Sequence, residues 1–396
     1  MLIENIKPYE KNAKKHPKKQ IEAVAKSIKE FGFNQPIVLD KDNVIIVGHG
    51  RFEASKLLGL KDVPTITVDL PEDKVKAYRL ADNKLNESEW DMSLVIEELK
   101  GLDDTMFDLT GFDKDLIIEP DEKDDEVPEV PEEPQSKLGD LYELGGHRLL
   151  CGDSAKVDDL EKLMNGHKAD MVFTDPPWNV NYGDTQKDNA QGYKPRTIMN
   201  DNMGDDFIPF LMDVFAMTSA YSKGGSPTYV VMSAQEWGGM MKVMRDNGYH
   251  WSSTIIWKKD RLVMSRKDYH TQYEPIWYGW KDGTRLKPVE DRKQSDVWEV
   301  KRPSDSPLHP TTKPVELVER AIINSSKNED IILEQFCGSG STLIASQKTG
   351  RVCYGMELDP KYVDVIVQRY VDYTGNEEII KNGETIIWKK TEMKTE

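Results

Sequence analysis

The chain has 396 residues, enough for two or three domains with cores of their own, and a net charge of −17 that excludes coating nucleic acid by bulk attraction alone. No run of about 18 apolar residues marks a membrane span, and the Lys-rich start is no apolar leader. Three cysteines, Cys151, Cys337 and Cys353, have no metal-ligand spacing and point to free thiols in a reducing cytoplasm, without a metal site.

The chain opens on a basic arm, Lys7, Lys11, Lys14, Lys15, Lys18 and Lys19, readable as a solvated tail or as a phosphate contact. Ile21, Val24, Ile28 and Phe31 then recur at helical spacing, and Gly32 stops the helix. Two short apolar runs, 36–39 and 44–47, flank Asp40-Lys-Asp-Asn43 as a hairpin. The second run enters Gly48-His49-Gly50-Arg51, which opens a helix reaching Leu58. Small residues before a helix leave backbone N–H groups open to a ligand, and Arg51 adds a cation. A phosphate cradle fits this pattern, and so does a Gly-rich turn with a structural arginine.

Ser27-Ile-Lys-Glu-Phe-Gly32, Gln35-Pro-Ile-Val38, Gly48-His-Gly-Arg51 and Leu58-Gly-Leu-Lys-Asp-Val-Pro64 follow the order seen in ParB-like N-terminal domains. The resemblance covers residues 1–90 and implies a small α+β fold of the ParB/sulfiredoxin type. It implies that Gly48 and Arg51 contact the phosphates of a nucleotide, often CTP, and it puts Asp82-Asn83 where ParB proteins carry Glu-Asn. Two departures stand out. Gly50 replaces an arginine, and His49 stands where sulfiredoxins have their cysteine, which excludes reductase chemistry. The helix-turn-helix half of ParB proteins is missing, so the domain reads as a binding or positioning module.

An amphipathic helical bridge over 90–109 closes a first domain, 1–112. Residues 113–133 carry eleven acids, two lysines and several prolines with little to bury, and read as an extended linker, 113–135. The second domain, 136–396, opens with a hairpin over 141–150 that leads into Asp153, and a helix through Leu160 and Met164 follows. Met171-Val-Phe173 is then a strand that ends in Thr174-Asp175-Pro176-Pro177-Trp178. Prolines cannot continue a ladder, so Asp175 stands at a strand's C-terminal end, where open α/β sheets bind ligands. Asp175 and the Pro176 carbonyl offer two acceptors to one exocyclic –NH₂, and Trp178 offers a face for a base. The competing reading is a strand that ends in a Pro-rich turn with a core tryptophan.

Polar residues 179–206 follow, with Lys187, Lys194 and Arg196, a lid over substrate or a plain surface loop. Further strands lie at 226–233, 250–258 and 273–280, with a helix over 235–246. Residues 258–302 hold twelve bases and eight acids with Trp257, Tyr269, Tyr273, Trp277, Tyr278, Trp280 and Trp298 in or beside them, which suggests a phosphate-facing surface in an acidic protein. The strand 330–336 turns through Cys337-Gly338-Ser339-Gly340-Ser341-Thr342 into a helix, and the strand after it ends on Glu357. Glycines allow close backbone approach, and an acid at the next strand end suits a ribose diol. The alternation predicts a doubly wound parallel sheet. A dinucleotide site would need a third glycine and a later nicotinamide pocket, and neither is present.

Phe336-Cys-Gly-Ser-Gly340, Asp175-Pro-Pro-Trp178 and His309-Pro-Thr-Thr-Lys-Pro314 together resemble the β-class amino-methyltransferases of DNA over residues 136–375. The resemblance implies a Rossmann-like methyltransferase sheet in circularly permuted motif order, with S-adenosyl-L-methionine as cofactor. Carried over, Phe336, Gly338 and Gly340 line its methionine part, Ser341 also binds the cofactor, Glu357 takes the ribose, Asp153 lies near the adenine, and Lys313 holds the amino-acid end. Lys313 is also readable as a surface residue. Asp175, Pro176, Pro177 and Trp178 form the catalytic motif, Trp178 stacks on the flipped base, and Tyr182 closes over it. Glu334-Gln335 replaces the usual Asp-Pro but keeps an acid.

An initial Asp leans towards adenine, and cytosine-N4 or RNA adenine methylation stay open. From another class, a nucleotide-gated DNA-binding protein with a cofactor-sensing half also stays open. The expected partners are double-stranded DNA and a nucleotide at the first domain, with no membrane. Both resembled families often form homodimers, and the expected setting is the cytoplasm of a bacterium or phage-infected cell. Between Lys281 and Pro307 the target-recognition region is short, so the first domain is expected to add contacts.

Overall fold

In the computed structural model, residues 1–9, 12, 14, 16–85, 95, 98–112, 122–180, 202–263, 268–289, 293–303 and 312–389 are described. The chain divides into two units, Met1–Ile118 and Glu119–Glu396.

In the first unit, α1 (Lys18–Phe31) ends at Gly32, whose φ of +83° suits a residue without a Cβ. Strands β1 (Ile37–Leu39) and β2 (Ile45–Val47) form the expected hairpin, with Asp40 Oδ1 accepting the N–H groups of Asp42 and Val44 inside the turn. β2 runs through Gly48, at φ +103°, into α2 (His49–Leu57). β3 (Thr65–Thr67) adds parallel to β1, so the three-stranded order is β2-β1-β3. Among the described residues that follow are helices α3 (Glu72–Leu85) and α4 (Asp104–Thr110), and Asp103 caps α4 by accepting the Met106 N–H. Ile6, Ile37, Leu39, Ile45, Phe52 and Val63 make one small core.

The second unit is organised by an eleven-stranded sheet. Its strands are β4 (Leu141–Leu144), β5 (His147–Cys151), β6 (Met171–Thr174), β7 (Pro227–Val231), β8 (Tyr249–Val263), β9 (Thr271–Lys281), β10 (Val297–Glu299), β11 (Ile331–Glu334), β12 (Val352–Glu357), β13 (Glu378–Lys381) and β14 (Glu384–Ile387). In space they run β10-β8-β9-β7-β6-β11-β12-β5-β4-β13-β14. The helices are α5 (Val157–Met164), α6 (Phe207–Tyr221), α7 (Trp237–Asp246), α8 (Val315–Ser325), α9 (Ser341–Lys348) and α10 (Pro360–Thr374).

The sheet keeps the expected doubly wound parallel core and the expected β4–β5 hairpin, and adds further antiparallel strands at its flanks. The run β7-β6-β11-β12-β5 is mutually parallel, as is the outer pair β10-β8, and β9 and β4 turn antiparallel at the two sides of that run. The reason is connection length. Gly145 and Gly146 join β4 to β5 directly, and so short a link cannot cross over to a parallel neighbour. Within the parallel run, alternate side chains feed opposite layers. Met171, Phe173, Tyr229 and Ile332 pack with α8, α9 and α10, while Val172 and Leu333 pack with α5 and Val230 packs with α6 and α7.

Part of the acidic stretch also departs from expectation. Glu122–Asp125 is a 3₁₀ turn bonded to the second unit instead of an extended tether. The Asp124 carboxylate meets Lys348 Nζ at 2.5 Å, and its carbonyl accepts from Arg369 Nη2 at 2.7 Å. Asp125 Oδ1 accepts the Val315 N–H at 2.8 Å, which satisfies an orphan donor at the start of α8. Opposite charge and an open helix end outweigh the repulsion among the acids. No helix among the described residues is long and apolar enough to cross a membrane.

Candidate active site

Four neighbouring parallel strands, β6-β11-β12-β5, end at one edge of the sheet. Asp175 follows β6, the 336–340 turn follows β11, Glu357 closes β12, and Asp153 follows β5. Residues far apart in the chain therefore stand side by side in that order, at the C-terminal edge where such sheets hold ligands.

At the turn, Gly338 has φ +51°, and a Cβ built on it would meet open space. Gly340 has φ +86°, and its Cβ would lie 3.0 Å from Ile366 Cγ2. One glycine thus leaves room for a ligand, and the other makes room for α10. Glu357 is fixed beside them, with Oε2 accepting the Gly338 N–H at 2.8 Å and Oε1 the Asp359 N–H at 2.9 Å. Burial pushes its carboxyl up to about 7, against the pull of those two N–H groups. Phe336 sits edge-on to Phe210 at 6.2 Å. A backbone stripped of side-chain bulk next to a held carboxylate fits a ligand bearing a diol. Asp153 is half-buried, with Oδ1 on the Ala155 N–H at 3.0 Å. Ser341, expected at the cofactor, has a buried hydroxyl that donates to the Lys313 carbonyl at 2.7 Å.

Next to the turn lies a buried cluster of charge. Trp178 Nε1 donates to Asp175 Oδ1 at 3.1 Å, and Lys313 Nζ donates to Asp175 Oδ2 at 2.6 Å. The same ammonium lies 4.9 Å above the Trp178 ring and 3.6 Å from Glu274 Oε2. Glu274 Oε1 in turn accepts from Lys259 Nζ at 2.6 Å. Burial raises the Asp175 carboxyl, Lys313 pulls it back, and Glu274 raises it again. Burial works against the charge on Lys313, yet Asp175 and Glu274 outweigh it and hold that ammonium protonated.

Lys313 is thus buried and not a surface residue. Its cation is on the catalytic-motif carboxylate. Glu274 and Lys259 were not anticipated, although an acid directly before the buried run Pro275-Ile276-Trp277 is a signal in itself. Glu334 keeps the acid noted in the motif but faces inward. Its Oε1 accepts from Thr174 Oγ1 at 2.7 Å and the Phe336 N–H at 3.0 Å, and Oε2 accepts from Thr342 Oγ1 at 3.1 Å. Burial pushes it up to about 8, so it braces β6 against β11 largely as the neutral acid.

Residues 169–368 match the family model described as DNA methylase. The chain belongs to the DNA methylase family. Residues 2–84 match the ParB N-terminal domain. The methylase is 26% identical over 256 residues to the type II methyltransferase M2.LlaDCHI of Lactococcus lactis subsp. cremoris, covering 58% of this chain and 90% of the relative. It is 25% identical over 241 residues to the DNA adenine methyltransferase YhdJ of Escherichia coli, covering 52% and 78%. A solved structure of the M1.HpyAVI–SAM complex aligns with 20% identity and a TM-score of 0.42, over 56% of this chain and 97% of that one.

Other expected residues of the methylase divide. Tyr182, Lys187, Lys194, Arg196 and His309-Pro310-Thr311 lie outside the described residues. Among the interleaved aromatics, Trp257, Trp277, Tyr278 and Trp298 are core, while Tyr269 is 90% and Tyr273 41% exposed. In the ParB-like unit, Arg51 Nη1 donates to Gln35 Oε1 at 2.6 Å. Lys14, His16, Gly48, Arg51 and Asp82 help line a cavity of about 210 Å³ at the start of α2. Burial pushes His49 down to about 4, and its neutral Nε2 accepts the Tyr9 N–H.

Proposed function

We propose that this methylase moves a methyl group from S-adenosylmethionine to the 6-amino group of an adenine swung out of duplex DNA. One observation carries the reading. Asp175, held by Trp178 and Lys313, follows β6, and the 336–340 turn, bonded to Glu357, follows the adjacent parallel β11, so base and cofactor sites would adjoin. Gly338 would admit the cofactor against the backbone, and Glu357 would accept from its ribose hydroxyls. Bound there, S-adenosylmethionine supplies an electrophilic methyl on a cationic sulfur.

Asp175 and the Pro176 carbonyl would accept both N–H groups of the target amine. This favours a pyramidal nitrogen whose lone pair leaves the ring and points at the methyl. As the N–C bond forms the C–S bond breaks, and the extra proton on nitrogen then passes to water. Asp175 needs only to accept hydrogen bonds, so rate comes from positioning and electrostatics. Trp178 offers the extruded base a stacking face, which offsets an unstacking cost of a few kcal/mol.

The Asp that opens the motif favours adenine over the 4-amino group of cytosine. The test is transfer of labelled methyl to unmethylated genomic duplex DNA, followed by digestion to nucleosides. Label in 6-methyladenine supports the reading. Label in 4-methylcytosine keeps the mechanism and replaces the substrate, and label only in RNA replaces the polymer.

For the ParB-like unit we propose binding of a nucleotide through Gly48 and Arg51, supported by the cavity with Lys14 and His16 at the α2 N-terminus. Titration with CTP should give saturable binding that Arg51→Ala weakens at least about tenfold, or about 1.4 kcal/mol. Equal binding by the variant would remove the proposal.

A further inference from the structure

The buried charge cluster holds more than the methyl-transfer reading uses. Lys313 faces two carboxylates, with Nζ 2.6 Å from Asp175 Oδ2 and 3.6 Å from Glu274 Oε2. Glu274 Oε2 is buried and accepts no hydrogen bond among the described residues. The other oxygen of Glu274 is pinned by Lys259 at 2.6 Å, so this carboxylate is held in place with one acceptor facing the ammonium. Lys259, Glu274 and Lys313 are all at least nine-tenths buried. The four groups are two cations and two anions in alternation, and the cluster stays neutral wherever the middle ammonium sits.

We propose that Lys313 is a two-position cation that moves from Asp175 to Glu274 as the target amine arrives, which makes Glu274 a positioning residue of the reaction. The inference rests on the methyl-transfer reading. With Lys313 on Oδ2 and the Trp178 indole on Oδ1, Asp175 is already engaged at both oxygens. An amine that needs Asp175 as acceptor competes with a cation for it. The conflict grows during the reaction, because positive charge passes from sulfur to a nitrogen hydrogen-bonded to that same carboxylate, beside the Lys313 ammonium. Moving Nζ by about 1 Å towards Glu274 relieves both, and a lysine with three donors on a flexible stem can make that move without breaking the cluster. Lys313 then lies farther from the developing charge, and Asp175 presents Oδ2 to the amine. No proton is transferred in this step. Lys259, bonded to Oε1, stops Glu274 from swinging after Lys313.

The experiment compares full-length wild type, Glu274→Gln and the double variant Glu274→Gln/Lys259→Met. It measures single-turnover methyl transfer to unmethylated genomic DNA, cofactor affinity by calorimetry, and melting temperature. Glu274→Gln is expected to slow single-turnover transfer by about 10–100-fold with cofactor Kd within about threefold, because the ammonium stays on Asp175. The double variant restores charge balance, so its melting temperature should return towards wild type while transfer stays slow. Recovery of the wild-type rate in the double variant would mean that Glu274 only balances charge, and would overturn the proposal. Wild-type transfer by Glu274→Gln would overturn it too. If Glu274→Gln does not fold, Glu274→Asp keeps the charge and withdraws it by one methylene. It should slow transfer about tenfold at unchanged melting temperature, and full-rate transfer by it would sink the idea. The wild-type arm reports on the parent reading separately, since DNA left unlabelled by wild type overturns that reading and this one with it.

Discussion

Several residues at the strand ends are ionisable groups in unusual states. Glu334 is the plainest. Its folded pKa of about 8 lies above its ordinary 4.5, so the native state holds the proton more tightly than the unfolded chain. The stability this group contributes is complete below about pH 4.5 and is lost as pH rises through about 8. Glu357 adds a similar loss through about 7. Replacing Glu334 by Gln keeps the shape and removes the titration, and the Thr342 hydroxyl can turn to accept from the new amide. Melting curves of Glu334→Gln from about pH 5 to 8 should therefore fall less than those of wild type. A slope equal to wild type would show that this carboxyl is ionised in the fold. The motif acid Asp175 was legible from its strand and prolines. The partners that set its electrostatics were not, because Lys313 is 138 positions away and Glu274 lies on a strand beyond β7. Only the folded sheet gathers them.

Among the elements, the parallel core was legible because short apolar runs alternate with helical spacing. The flanks were not read as well. The hairpin β13–β14 turns on Asn382 and Gly383, at φ +52° and +84°, and Asn-Gly between two short isoleucine-bearing runs is a strong local hairpin sign. Helix α6 buries Phe207, Phe210, Leu211, Val214 and Phe215, and such a broadly apolar run offers little polar face by which to assign a period. The two glycines of the 336–340 turn give a paired prediction. Gly340→Ala should cost about 1–2 kcal/mol of stability, because strain at φ +86° adds to a close contact with Ile366. Gly338→Ala meets no protein atom, so it should cost only about 1 kcal/mol of backbone strain yet weaken cofactor binding at least about tenfold. Calorimetry with thermal denaturation separates the two. Unchanged cofactor affinity in Gly338→Ala would place the ligand elsewhere.

For the whole molecule, the acidic stretch matters in a way its composition hid. Read alone, it is a run of like charges. Folded, Asp124 and Asp125 serve Lys348, Arg369 and the start of α8, partners some 190 to 245 positions onward. A truncation that starts at residue 119 keeps these bonds, whereas one that starts at 135 strips the partly buried Lys348 and buried Arg369 of them. The shorter piece should be less stable by about 3 kcal/mol, visible as a lower denaturation midpoint. Equal midpoints would mean that the turn is dispensable. The longer piece also tests the ParB-like unit, whose removal should relax sequence preference if that unit adds DNA contacts. The most direct measurement for the account as a whole is labelled methyl transfer by Asp175→Ala beside wild type, with cofactor affinity taken on the same samples. The account predicts label on adenine with wild type, its loss by at least about a thousandfold in the variant, and cofactor Kd within a few-fold. Persistent transfer by Asp175→Ala would contradict it.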